Sequence, residues 1–301
     1  MAKRSYAAGR FALFCDGEAL GFVKSVSGGN IKGEVATRTM GPANVAKKHL
    51  ATIKYEPFTV EVGMGMSKNF YEWIRQSFDK AHISKSGEIV AADFHYNAMR
   101  ATEFFDAYIS EVTMPALDAS SKDAAYMTVK IDPERLRHVK RGSEKLSAKM
   151  GTKTKKWLPS AFTFELGDLP CERVVKIDSF TLKQSVVQDQ VGTFREPTKH
   201  PPKVEVPNLK ITFSAADAEG WEAWFKSFAI DGKCADGDEL DGQITILGRD
   251  HTEILGRIEL YHCGIISLQP TKSEANKAAP ARLEAEIYVE EMKLFFDHVD
   301  A

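Results

Sequence analysis

The sequence predicts a mainly β protein with one helix per repeat, built as two tandem homologous domains. Three observations predict it. First, NFYEWIRQSF at residues 69–78 returns as GWEAWFKSFA at residues 220–229, which sets Trp73 and Trp224 151 positions apart in a chain of 301. Second, the same step carries Phe11 onto Phe162, Val23 onto Val174, Val26 onto Ile177, Ile31 onto Leu182, Lys32 onto Lys183 and Val35 onto Val186. Further on, Lys48 and His49 meet Lys199 and His200, while Phe58, Val60 and Val62 meet Leu209, Ile211 and Phe213. Most matches keep burial character rather than identity, and self-similarity at one fixed step marks a repeated unit. Third, 301 residues at 43% hydrophobic content supply two cores of ordinary size. The expected division is a first domain over residues 1–134, a basic linker over 135–159 and a second domain over 160–301.

The elements follow in order. RFALFCD at 10–16 alternates, Asp16-Gly17 offers a turn and ALGFVKSV completes a hairpin; FTFELGDLPCERVVKI, turning at Gly167-Asp168, is its expected counterpart. A third strand is expected near Ile31 to Thr37, matched by Leu182 to Gln188. A fourth lies near Ile53 to Val62, matched by Val204 to Phe213. Between them run TRTMGPANVAKKHLA and DQVGTFREPTKHPPK, polar excursions bearing Pro and Gly where a compact hairpin needs about two to five residues. The helix begins at Ser67 in the first copy and at Ser214 in the second, where Asp217 three residues later suggests a capping box. Phe70, Trp73, Ile74 and Phe78 recur at helical spacing, as do Trp221, Trp224, Phe225 and Phe228. Such a stripe can serve as a ligand platform but more commonly seals a sheet. The proposed helix core is therefore Phe70, Trp73, Ile74, Trp221, Trp224 and Phe225. Strands return in EIVAADFH, TEFFDAYISEV and YMTVKI, and again in QITILG, EILGRIELYHCGIISL and RLEAEIYVEEMKLFF.

Composition argues against several function classes. No apolar run approaches the ~18 residues that span a bilayer, and the first 30 residues lack the layout of a signal peptide, so a chain made in the cytosol is expected. The four cysteines, Cys15, Cys171, Cys234 and Cys263, are far apart and suggest neither a disulfide framework nor a zinc knuckle. Between Arg135 and Lys156 nine Lys or Arg face one acid, Glu144, a local charge of +8 that leaves −10 of the net −2 to the remainder. A basic run can contact nucleic acid, but this one falls between the repeats and has no interleaved aromatics, so a solvated linker is the better reading. VGMGMSK lacks the Gly-Lys-Ser/Thr of a phosphate loop, and Ser25 and Ser27 sit in no nucleophile elbow. The histidines never pair at i, i+4 around an acid, and His262-Cys263 needs distant partners to hold a metal. No catalytic, cofactor or metal residues are expected, and the chain reads as no enzyme.

The layout GRFALFCDGEALGFVKSVSGG, then a long polar loop ending in FTVEVGMGM, then SKNFYEWIRQSF, resembles the tail tube proteins of contractile phages and phage-like injection systems, which share a fold with the hemolysin-coregulated tube protein of type VI secretion. The resemblance covers residues 10 to 133 well, and 160 to 296 mainly through the internal repeat. Those proteins are generally one domain of about half this length, so the chain departs from them by its second unit and its linker.

The resemblance implies a β-sandwich or barrel tail-tube fold, rings formed by edge-to-edge strand pairing, and rings stacked into a tube. It implies partners too: other copies of the chain, sheath and baseplate proteins, and DNA or protein cargo in the lumen, with no cofactor and no membrane insertion. The location implied is the bacterial cytoplasm, then a virion tail or phage-like particle. Excursions 38–52 and 189–203 correspond to the loop that contacts the next ring, which nominates Met40, Gly41, Pro42, Lys47, Lys48, His49, Phe194, Arg195, Pro197, Lys199 and His200 as ring-stacking residues. Rings of six single domains become rings of three duplicated chains, although six whole chains with one half outside the wall suit the same sequence. Two alternatives stay open: a baseplate hub, tube initiator or terminator ring with the same domains, and an unrelated two-domain binding module.

Overall fold

A computed structural model describes residues 9–39, 46–79, 83–142, 144–146, 157–189, 198–271 and 280–296. In the first half, β1 (Arg10–Cys15) and β2 (Glu18–Val23) form the expected hairpin. Asp16 and Gly17 at its turn both take positive φ, 51° and 84°, the twist a two-residue turn requires. β3 (Ser25–Gly28) follows, then β4 (Ile31–Thr39), β5 (Ala46–Tyr55), β6 (Phe58–Val62) and helix α1 (Lys68–Phe78). β7 (Lys85–Ala92), the long β8 (Ala98–Met114), the short β9 (Leu117–Asp118), β10 (Met127–Asp132) and β11 (Arg135–Lys140) complete it.

The second half runs β12 (Phe162–Leu166), β13 (Val174–Ile177), β14 (Phe180–Asp189), β15 (Thr198–Glu205) and β16 (Leu209–Ser214). Helix α2 (Ala218–Phe225) comes next and widens into a π turn at Lys226–Ile230, before β17 (Leu240–Leu247), β18 (Ile254–Pro270) and β19 (Arg282–Phe296).

The strand order β1-β7-β8-β10-β6-β3 of the first sheet returns as β12-β17-β18-β19-β16-β13 in the second. Every strand pairing among the described residues is antiparallel. Val129 lies opposite Val60 and Val112; Ala285 lies opposite Ile211 and Leu268. Irregularities repeat as well. The β7–β8 ladder slips between Lys85 and Gly87, and the β17–β18 ladder slips between Leu240 and Gly242. Asp106 and His262, each at positive φ, donate their N–H groups to Ser86 Oγ at 3.1 Å and Asp241 Oδ1 at 3.0 Å. The step of 151 holds through the helices, then becomes 155 at β17 and 156 at β18 and β19, as Gly87 matches Gly242 and Phe104 matches Leu260. The insertions fall between helix and strand, where added length displaces no core residue.

Several expectations differ from the observed elements: the strand expected near Ile53 to Val62 is divided between β5 and β6 at Glu56-Pro57, and its counterpart near Val204 to Phe213 between β15 and β16. FTFELGDLPCERVVKI forms no hairpin: β12 pairs with β17 and β13 with β16, because Pro170 lacks an N–H to donate and tight turns at Leu169 and Val174 carry the chain across between them. The start of the basic linker is strand β11, paired with β8 from Arg135↔Phe105 to Lys140↔Arg100. Its charges are matched there, Arg137 by Glu103, and Arg141 just beyond by Glu88. The excursion after β4 is a two-stranded ribbon, in which β4 and β5 pair from Ile31↔Tyr55 out to Thr39↔Ala46. Polar residues make it look like a loop, yet an antiparallel pair satisfies its own backbone wherever both faces meet water.

The main core cluster runs across both halves and the helices seal it, with a small separate cluster at Val90, Ala98 and Ala101. Phe70, Trp73 and Ile74 are fully buried, and Trp73 Nε1 donates to Ile83 O at 3.3 Å. Trp221 is also buried, stacks on Phe213 with centroids 4.6 Å apart and donates to Pro170 O at 3.1 Å. Trp224 and Phe225 are half-buried and pack against the same cluster. Ser214 accepts from Ala216 N, as a cap residue should, whereas buried Asp217 pairs with Arg173 at 3.0 Å in place of closing a capping box.

Candidate assembly interface

The sheet does not stop at the end of the first half. β7 leaves the edge of β8 at Lys85↔Ala107, and β14 occupies that edge further along, through Lys183↔Glu111, Leu182↔Val112, Thr181↔Thr113 and Phe180↔Met114. The hydroxyls of Thr113 and Thr181 meet at 2.9 Å across this ladder. Leu182 is fully buried, a gain of about 1.5–3 kcal/mol over leaving it in water. In return β9, from the first half, pairs with β13 through Leu117↔Ile177, and the Tyr71 ring lies 5.4 Å from that of Phe296. This joint between halves is a strand adding to a free sheet edge, with main-chain bonds for affinity and alternate side chains for specificity.

Lys199 fixes the far end of the joint. It sits on β15, opposite Gln188, and its side chain is only 3% exposed. The ammonium pairs with Asp132 and donates to Pro133 O at 2.7 Å, while the Lys199 N–H donates to Glu134 Oε1 at 2.7 Å. A lysine buried without such partners would be costly; here charge and hydrogen bonds are both supplied. Lys199, expected at a contact with the next ring, is bonded within its own chain. Neither Asp132 nor Glu134 was singled out in the sequence, although acids flanking Pro133 between two strands offered the signal.

The other nominated residues divide clearly. Met40, Gly41, Pro42, Phe194, Arg195 and Pro197 lie outside the described residues. His200 is on β15 opposite Val187. Lys47, Lys48 and His49 stand exposed on β5, opposite Arg38, Thr37 and Ala36. Their ribbon pairs with no other strand among the described residues, and Ile31, Val35 and Leu50 are 42%, 57% and 57% exposed on it. Contiguous exposed apolar side chains of this kind mark interaction surfaces.

Reactive chemistry is sparse among the described residues. Burial pushes the thiols of Cys15, Cys171 and Cys263 up to about 12, so none is a ready nucleophile near neutral pH. Glu239, His262 and Glu290 bring ligand atoms within 4.8 Å of one another. Tyr288 donates to Glu239 at 2.6 Å, and burial first, then that carboxylate, raises the phenol's pKa.

Residues 8–137 match the family model of T4-like virus tail tube protein gp19. The match covers under half of the chain, and the first half is similar to that family. No curated protein matches the chain. Among solved structures, the chain is similar to one from the sheath–tube complex of an extracellular contractile injection system in its extended state, at 14% identity over 45% of this chain and 88% of that one, TM-score 0.37. It is also similar to a chain of the anti-feeding prophage tube-terminating cap, at 15% identity over 52% of this chain and 98% of that one, TM-score 0.39. A chain of the anti-feeding prophage baseplate matches at 12% identity over 45% of this chain and 92% of that one, TM-score 0.36. No helix among the described residues is long and apolar enough to cross a membrane.

Proposed function

We propose that the chain is two tail tube units in tandem, residues 1–134 extended by β11 and residues 160–301, and that three chains form a pseudo-sixfold ring that stacks into the inner tube of a contractile phage tail or phage-like injection system. The observation that carries this reading is the passage of one sheet into the other half through β8–β14, since a ring wall is that same junction repeated. The junction is heterologous, and heterologous contacts repeated about an axis close into rings. Proposed partners are further copies, sheath and baseplate proteins, and DNA or protein cargo in the lumen. The proposed location is the bacterial cytoplasm and then the assembled particle. The net −10 outside the basic segment favours a channel wall to which polyanionic cargo does not adhere. The role is structural rather than catalytic.

Electron microscopy of the purified protein tests the reading. Rings with six domain densities and threefold symmetry are expected; monodisperse monomers at all concentrations, or sixfold rings of whole chains, would overturn it. Labelling of intact particles counts copies, and a single ring per particle would replace the tube role with an initiator or terminator.

A further inference from the structure

We infer that Glu239, His262 and Glu290 form a site for a divalent transition ion, zinc by its donor set, that ties the start of β17 to β18 and β19. The site lies within a single chain and is independent of the ring reading.

Three segments bring the donors together. Glu239 immediately precedes β17, His262 lies within β18 and Glu290 within β19. The pairs Tyr261↔Glu291 and Cys263↔Val289 set His262 opposite Glu290, and Leu240↔Cys263 sets Glu239 beside them. Cys263 turns into the core, fully buried, while the His262 imidazole stays on the outer face. There its Nδ1 stands 3.1 Å from Glu239 Oε2, and the Glu290 carboxylate completes a set of three within 4.8 Å. Two atoms each about 2.0–2.2 Å from one zinc lie about 3.0–3.5 Å apart. The imidazole and the first carboxylate therefore already have the spacing of one edge of a coordination shell, and the exposed Glu290 side chain reaches it by rotation.

The surroundings hold these donors in place. The Glu239 side chain is only 7% exposed, and its other oxygen, Oε1, accepts from Tyr288 at 2.6 Å. An outer partner of this kind fixes a ligating carboxylate and tunes its affinity. The Tyr288 ring reaches Glu239 because it lies over Gly264, where a Cβ would meet ring atoms at 2.3 Å.

Charge calls for a cation here. Among the described residues no Lys or Arg pairs with Glu239 or Glu290, and His262 is neutral unless protonated. A buried carboxylate without a cation is costly. The first half meets the same need with a lysine. The step of 156 sets Tyr288 and Glu290 on Asp132 and Glu134, and strand register agrees, with Tyr108 opposite Asp132 and Gly264 opposite Tyr288. Asp132 and Glu134 receive the Lys199 ammonium and N–H. In the second half Tyr288 stands in place of that first acid, Glu239 supplies a carboxylate instead, and an imidazole is added. One imidazole nitrogen with two carboxylates suits zinc or its first-row neighbours, whereas magnesium and calcium favour oxygen alone.

Metal titration of the full-length chain tests the site. In a Cys234→Ser background, which removes the exposed thiol, protein stripped with a chelator is titrated with zinc chloride in a calorimeter. One ion per chain is expected, without competition from equal magnesium or calcium, and the thermal midpoint should rise by about 3–8 °C at a hundred-fold excess over Kd. Glu290→Gln changes an exposed side chain, and His262→Asn places there a residue that tolerates positive φ, so both should fold. Each should weaken zinc at least about a hundred-fold, and Tyr288→Phe, which keeps all three donors, about ten-fold with the stoichiometry unchanged. Zinc bound equally well by Glu290→Gln and His262→Asn, or no zinc bound by the parent, would overturn the site.

Discussion

Lys48 and Lys199 occupy matched places in the repeat, yet one is solvated and the other is locked between Asp132 and the Pro133 carbonyl. Truncation should separate them. Lys199→Ala leaves Asp132 without its cation and should cost the isolated chain about 3 kcal/mol or more, whereas Lys48→Ala should stay within about 0.5 kcal/mol; urea unfolding of unassembled protein measures both. The tryptophans differ in the same manner. Trp73→Ala empties a fully enclosed site and should cost about 3–5 kcal/mol, and Trp224→Ala, from a half-buried site, should cost less in the same titration. Thiols report burial independently. Of the four cysteines, only Cys234 is exposed, so a thiol reagent should label one site in native protein and four in denaturant. Rapid native labelling at Cys15, Cys171 or Cys263 would contradict the packing described.

At the scale of elements, the two ribbons share a strand pattern and differ in surroundings. β14–β15 pairs with β8, while β4–β5 pairs with no other strand among the described residues. Replacing residues 38–48 by a two-residue turn should leave the thermal transition of the monomer within about 2–4 °C of the parent and abolish assembly. The matching deletion of residues 189–199 removes the Lys199 anchor and should lower the transition well beyond that range. Equal effects of the two deletions in calorimetry would show that the ribbons do the same job. Element type was largely legible in the sequence, because alternation and the aromatic stripe are local signals. β19 spans Arg282–Phe296, the stretch read as one strand, and Asp16-Gly17 makes the turn its residues favour. Legibility failed where a partner decides. Arg135–Lys140 looks like a solvated linker until Glu103 and the edge of β8 are set beside it.

At the scale of the whole molecule, three 33.4 kDa chains, about 100 kDa, are the expected closed unit. Light scattering should find that mass at concentrations below those that stack rings. A mass of six chains carrying six peripheral densities would favour whole-chain sixfold rings in its place. Sequence alone made legible the recurrence at a step of 151, the β-rich class, the aromatic helices and the likeness of the first half to tail tube proteins, because alternation, helical spacing and recurrence are properties of neighbours along the chain. Tertiary structure alone decided which ribbon joins the sheet of the other half and which pairs with no further strand among the described residues. Leu182 and Ile31 are nearly the same residue in nearly the same strand, and nothing local tells them apart. What separates them is whether Val112 or open water lies opposite, and that depends on the path of the whole chain between the two halves.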